Sequence, residues 1–161
     1  MMLGLLVSLL PATAGMVLGR DAPVPPGACC FALLDVSSGQ AVQQRPGGGY
    51  LTLGAGDPDG WYCIDLADSK HVLRDAFDNA CFVNSDQQLQ CLDPTPGFDA
   101  WSLQHGGGDA LLAVNGGTGF SACRSSAGRG VYARVKAGES GCQGIRLKAR
   151  GLRGTCQDFR G

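Results

Sequence analysis

Apolar and polar residues alternate in short runs along most of this chain, and the runs stop at glycine, proline, asparagine or aspartate. The densest set lies between residues 111 and 152. Runs at 111–114, 119–123, 131–135 and 145–149 are apolar and strand-length, with Asn115-Gly116-Gly117, Gly128-Arg129-Gly130 and residues 138–141 between them. Period-two alternation broken by glycine-rich turns predicts an antiparallel meander. Further strands are predicted at 29–34, 39–42, 50–53, 61–64, 71–73, 80–83, 89–91 and 101–103. Residues 66–79 are the one candidate for a short helix. The pattern predicts an all-β fold, an antiparallel β-sandwich or barrel with little or no helix after the first segment.

The first segment departs from this alternation. Residues 1–10, MMLGLLVSLL, are apolar and uncharged, and Pro11 ends the run before Ala12-Thr13-Ala14. This is the form of a secretory signal, expected to occupy 1–19 with cleavage near 14 or near 19. It is too short to span a bilayer. Residues 20–28 hold Pro23, Pro25 and Pro26 and predict an extended arm. Residues 29–161 are then of a length for a single β domain.

Behind a secretory signal, eight cysteines imply up to four disulfides in an oxidising compartment. They are Cys29, Cys30, Cys63, Cys81, Cys91, Cys123, Cys142 and Cys156. On the order of a hundred connectivities are open to eight cysteines. Two pairs are favoured because each lies across a predicted hairpin, Cys81–Cys91 and Cys123–Cys142. The other four cysteines form two bonds whose pairing stays open. Neighbouring residues of a strand face opposite sides, so Cys29 and Cys30 should bond in different directions. Zinc is not expected, because no Cys-x-x-Cys pair exists and His71 and His105 stand apart from the cysteines.

The formal net charge of −1 hides an asymmetry. Residues 20–109 carry four bases and twelve acids, a net of −8, whereas residues 110–161 carry nine bases and two acids, a net of +7. The simpler reading is two parts of one domain that neutralise each other. The sharper one is a basic face for an acidic partner. Arg146, Lys148 and Arg150 alternate with Ile145, Leu147 and Ala149, so a strand would set the three cations on one face. They are the candidate ligand-facing residues, against the alternative of a charged edge that resists aggregation. Trp61, Tyr62 and Trp101 are candidates to stack on sugar rings, although core packing is the commoner role of such side chains.

Catalytic signals are weak. Gly47-Gly48-Gly49 and Gly106-Gly107-Gly108 lack the Gly-Lys-Ser/Thr of a phosphate loop, and no Gly-x-Ser-x-Gly elbow occurs. Asp57 with Asp59, or Asp65 with Asp68, are the nearest approach to a carboxylate pair, yet they sit in turn-forming sequence. The chain is therefore expected to have no catalytic residue, cofactor or metal. No Asn-x-Ser/Thr acceptor is present.

Several phrases, taken in order, resemble a known family. They are Cys29-Cys30-Phe31-Ala32-Leu33, Tyr62-Cys63-Ile64, Cys81-Phe82-Val83, Leu89-Gln90-Cys91, Leu112-Ala113-Val114-Asn115-Gly116, Phe120-Ser121-Ala122-Cys123 and Gly141-Cys142-Gln143-Gly144-Ile145-Arg146-Leu147. This order is similar to small secreted fungal proteins related to the C-terminal domain of cell wall mannoproteins with internal repeats. The resemblance implies an all-β, wall-associated or secreted module without enzyme activity. The family's Asp-Gly-Gln phrase is absent; the corresponding stretch is Val42-Gln43-Gln44-Arg45-Pro46-Gly47-Gly48-Gly49-Tyr50. The expectation is a secreted, non-enzymatic, wall-associated structural protein. The alternative is a freely secreted effector or lectin-like binder. Expected partners are cell wall polysaccharide, β-glucan above all, with no nucleic acid and no membrane after signal cleavage. A monomer is expected.

Overall fold

The computed structural model describes residues 22–134 and 138–161, and they hold thirteen strands and no helix. The predicted signal and both cleavage points lie outside the described residues. All strand pairs are antiparallel, and the sheet curls on itself.

The strands fall into three consecutive units. The first holds β1 (Cys29–Asp35), β2 (Val42–Gln44), β3 (Gly49–Leu53) and β4 (Tyr62–Ile64). The second holds β5 (Leu73–Asp75), β6 (Ala80–Val83), β7 (Leu89–Asp93) and β8 (Trp101–Gly106). The third holds β9 (Asp109–Val114), β10 (Phe120–Arg124), β11 (Arg129–Tyr132) and a divided last strand, β12 (Cys142–Ile145) and β13 (Leu147–Gly154).

In each unit the first and last strands enter a six-membered ring, and the middle two form a hairpin. The ring runs β1 to β4 to β5, then β8 to β9 to β13 and back to β1. Between β5 and β8 it closes through one backbone bond, Trp101 N–H to His71 C=O at 2.9 Å. The hairpins β2–β3, β6–β7 and β10–β11 meet in a triangle. Tyr50 pairs with Gln90, Arg129 with Leu53, and Gln88 with Tyr132, so each hairpin touches both others. This pseudo-threefold plan is that of a β-trefoil.

The barrel alternative of the fold prediction is the one adopted, and period-two burial explains it. Phe31 and Leu33, Tyr62 and Ile64, Trp101 and Leu103, and Leu147 and Ala149 all point inward into one buried cluster with Val42, Leu51, Leu53, Leu89, Phe120 and Val131. Burying one large aliphatic or aromatic side chain contributes about 1.5–3 kcal/mol, so these inward rows dominate stability. Trp101 meets its polar need by donating Nε1–H to the Cys81 carbonyl at 3.0 Å.

Four disulfides join the strands: Cys29–Cys156, Cys30–Cys63, Cys81–Cys91 and Cys123–Cys142. Both pairs favoured from spacing form, each between directly opposed residues. Cys29 and Cys30 do bond in different directions. Cys29 lies in the inner core, and Cys30 lies in an outer cluster with Trp61, Ala22 and Ala28. Cys29 and Cys156 are 127 residues apart, so on chain-entropy reasoning their bond stabilises by about 5 kcal/mol, against about 3 kcal/mol for Cys81–Cys91, only 10 apart.

Several predicted boundaries move. The second strand is Val42–Gln44 rather than 39–42, because Gly39 (φ 73°) and Gln40 complete a turn whose closing bond runs from Asp35 N–H to Gln40 C=O. The strand expected at 71–73 begins at Leu73, since His71 takes φ 51° and cannot be extended. The run at 131–135 ends as a strand at Tyr132, and Val135 lies outside the described residues. The single run at 145–149 is divided at Arg146, whose carbonyl leaves the ladder to accept Val36 N–H at 2.9 Å. Residues 66–79 form turns and β5, not a helix. The proline-rich arm has no regular structure over residues 22–28, and its Ala22 and Ala28 are buried against Trp61.

Candidate functional site

The sequence-predicted cationic strip is built as the alternation required. Ile145, Leu147 and Ala149 are buried, while Arg146 and Arg150 are exposed and Lys148 is half-buried. Lys148 Nζ lies 3.7 Å from Asp109 Oδ1 and opposite Leu111, so its charge is met within the fold. Only two of the three cations are presented to solvent without that compensation.

The aromatic candidates are not presented at all. Trp61, Tyr62 and Trp101 are 4%, 0% and 1% exposed, so none offers a ring face for stacking. Their apolar area is spent on the core, as residues of this size usually are. Of the carboxylates, Asp65 and Asp68 brace turns by accepting Ala67 N–H (2.9 Å) and Lys70 N–H (3.0 Å). His71 is exposed, and His105 stacks on Phe159 with ring centroids 4.4 Å apart and meets Asp158 at 3.1 Å. Among the described residues, no group of three or more His, Cys, Asp or Glu is placed to hold a metal ion. No helix among them is long and apolar enough to cross a membrane.

Asp57 and Asp59 stand elsewhere, at a cavity of about 540 Å³ where the first unit meets the second. One wall is the loop before β4, carrying Asp57, Pro58, Asp59, Gly60 and Trp61. The other is the turn after β5, carrying Ala76 and Phe77, with Gln44 and Pro46 between them. Phe77 is 50% exposed. Its backbone is held by the turn, its N–H donating to Asp75 Oδ1 at 2.9 Å.

Asp75 organises the base of this region. It is 4% exposed and accepts four hydrogen bonds. Oδ1 takes the N–H groups of Phe77 and Asn79, both at 2.9 Å. Oδ2 takes Gln44 Nε2 at 2.8 Å and Asn79 Nδ2 at 2.9 Å. A buried carboxylate is tolerated only with such compensation. The Gln44 bond also ties the first unit to the second.

Two buried polar side-chain atoms near the cavity have no partner, Trp61 Nε1 and Tyr62 Oη. Trp61 lines the cavity. The Tyr62 ring lies behind it, against Gly60. A Cβ at Gly60 would fall within 2.6 Å of that ring and its hydroxyl, so the position demands glycine. Burial, with the charges of Asp75 and Asp59 adding to it, pushes the Tyr62 phenol well above its ordinary pKa. Each unpartnered buried donor costs about 1–3 kcal/mol, and such groups call for an explanation.

A second concavity, about 600 Å³, lies under the proline arm beside Asp65, Asp68, Lys70 and Arg74. There Arg74 is held within the fold: its Nη1 donates to the carbonyls of Asp78 (2.9 Å) and Pro94 (3.1 Å) and lies 3.6 Å from the Asp78 carboxylate. Among the described residues, the Phe77 cavity is lined by two carboxylates and no base, with the Arg153 guanidinium 5.8 Å from the ring centre of its lining residue Trp61. Sequence reasoning missed Phe77, Gln44 and Asp75. The one signal within reach was the Asp57-Pro58-Asp59-Gly60 turn, which marked a loop but not what it faces.

The architecture and its sulfur pairing define a disulfide-stapled, all-β domain of the kind that oxidising compartments outside the cytosol favour. No protein-family model, curated protein or solved structure matches the chain.

Proposed function

We propose that this chain is a secreted, non-enzymatic structural protein of the fungal cell wall, related to the C-terminal domain of cell wall mannoproteins with internal repeats. The observation that carries the reading is the disulfide pattern. Cys29–Cys156 ties the first strand to the chain beyond the last, and each unit contains or shares a further bond. Such clamping suits persistence outside the cell more than turnover of a substrate. Wall polysaccharide, β-glucan in particular, is the partner this reading names. Pull-down on insoluble β-glucan and chitin tests it, together with fractionation of tagged protein between wall and medium. Retention on either polymer and recovery from the wall fraction are expected. Recovery only from the medium, without retention, would contradict it.

A second reading is a freely secreted effector or lectin-like binder. The half-exposed Phe77 over an acidic cavity favours it. On this reading Arg146 and Arg150 contribute to the bound surface, and reversing both to Glu weakens binding to wall or host extracts. Unchanged binding removes the strip from the account.

A further inference from the structure

We propose that Asn115 is a modification site: attack by the Gly116 backbone nitrogen converts its side-chain amide to a carboxylate, and the product loosens the ring where β5 meets β8. The reaction needs only water, so it is independent of any ligand the protein binds.

The chain has three asparagines, Asn79, Asn84 and Asn115, and only Asn115 precedes a glycine. Glycine has no Cβ to hinder the approach of its nitrogen to the side chain before it. Asn115 and Gly116 are both exposed, and among the described residues Gly116 N–H donates to no acceptor. The other two are held and followed by bulkier residues. Asn79 is 8% exposed, and its Nδ2 donates to Gly47 C=O (3.0 Å) and Asp75 Oδ2 (2.9 Å). Asn84 Oδ1 accepts the N–H groups of Asp86 and Gln88, both at 2.9 Å. In the first step the Gly116 nitrogen bonds to Asn115 Cγ, the Cγ–Nδ2 bond breaks, and ammonia leaves with the Gly116 amide proton. Water then opens the cyclic imide at either carbonyl, leaving aspartate or isoaspartate, and nothing is oxidised or reduced. The side-chain bonds of Asn115 oppose the first step, but both are exposed, so water competes for them.

Asn115 clasps the corner after β9 to the segment that enters β8. Its N–H donates to Ala100 C=O at 2.7 Å, and its Oδ1 accepts Ala100 N–H at 2.9 Å. Its Nδ2 donates to Asp99 Oδ1 at 2.9 Å, while Asp99 Oδ2 accepts Val83 N–H at 2.8 Å. β8 begins at the next residue, Trp101, and the bond from Trp101 N–H to His71 C=O closes the ring there. Conversion replaces the Nδ2 donor by a second carboxylate that faces Asp99 at hydrogen-bond distance. Two carboxylates have no proton to share and repel each other. The clasp opens directly beside the single backbone bond of the seam.

The first test is peptide mapping by mass spectrometry of the full chain held in mildly alkaline buffer. The mass gain of amide-to-acid conversion is expected at Asn115, with the imide as intermediate, about tenfold or more faster than at Asn79 or Asn84. Conversion that comes first at either of those overturns the proposal. The consequence is read by amide hydrogen exchange. In Asn115→Asp, Trp101 N–H should exchange about tenfold faster than in the native chain, and faster than in Asn115→Ala, which removes the same side-chain bonds without adding charge. The Asp99→Asn/Asn115→Asp double variant swaps the two partners. Its exchanged amide accepts Val83 N–H with the oxygen and donates across the corner with the nitrogen, so Trp101 protection should return to within about twofold of native. Exchange in Asn115→Asp no faster than in Asn115→Ala overturns the proposal, as does a double variant that exchanges as fast as the single one.

Discussion

The first strand of each unit ends at an equivalent corner, and the three corners are closed in different ways. After β1, Asp35 folds its carboxylate over the turn and accepts from Ser37 Oγ (3.0 Å) and Ser38 Oγ (2.6 Å) and from both backbone N–H groups. After β5, Asp75 does the same for its own turn and also reaches Gln44 of the neighbouring unit. After β9 the position is Val114, with no carboxylate. That corner relies on backbone bonds between Val114 and Gly117 (3.0 Å each) and on Asn115, at φ 51°, whose side chain accepts Ala100 N–H (2.9 Å) and donates to Asp99 Oδ1 (2.9 Å). One geometric problem thus has a local carboxylate solution, a carboxylate solution that also joins units, and a solution from backbone bonds and an asparagine side chain. The cavity occurs at the second corner, where the carboxylate that positions Phe77 also fixes the opposite wall through Gln44. Rigidity around the cavity comes here from sharing one buried charge between two units.

This comparison predicts an order of stability losses. Asp75→Ala should cost most, about 2–4 kcal/mol, because it strands buried donors on Phe77, Asn79 and Gln44. Chemical denaturation measures it, and a loss smaller than that of Asp35→Ala would break the ranking. Asp35→Ala should cost about 1–2 kcal/mol, since its partners are two serines near the surface that water can serve instead. Asn115→Ala should cost least, about 1 kcal/mol, through the left-handed backbone and two lost exposed bonds, from Ala100 N–H to Asn115 Oδ1 and from Asn115 Nδ2 to Asp99 Oδ1 (2.9 Å each).

Acid sharpens the same contrast. Burial opposes the charged form of Asp35, but the hydrogen bonds from Ser38 and Ser37 outweigh it and hold its carboxyl below the usual carboxylate range. A depressed folded-state pKa contributes stability above the unfolded value of about 3.9, and that contribution is lost as pH falls through the folded pKa. The stability gap between the native chain and Asp35→Asn should therefore narrow as pH drops from about 5 toward 2. Thermal melts across that range measure it, and a gap that widens would contradict the assignment. Tyr62→Phe is the smallest change. It removes an unpartnered hydroxyl without altering shape, so stability should hold or rise slightly. A clear loss in the melting temperature would mean that Oη has a partner.

Much of the strand plan was legible because it is local. The run at 80–83 coincides with β6, and the hairpins that carry Cys81–Cys91 and Cys123–Cys142 depend on short spacings and turn residues. The Cys29-Cys30 doublet showed its opposed directions through the pleat alone. The threefold plan was hidden because equivalent positions have diverged, as Asp35, Asp75 and Val114 illustrate. The Cys29–Cys156 bond depends on ring closure over 127 residues, which no local pattern encodes. His71 misled because Val72-Leu73 continues an apolar run that its left-handed backbone interrupts. The cavity escaped notice for the same reason as the long bond: its walls come from residues 44–61 and 76–77, and only the barrel brings them together.

The ring's first strand turns one sulfur inward to Cys156 and the next outward to Cys63 on β4. Disulfide mapping of native protein, with fragmentation that cuts between Cys29 and Cys30, tests it most directly. The account predicts Cys29 joined to Cys156 and Cys30 joined to Cys63. Finding Cys29 joined to Cys63 would contradict it.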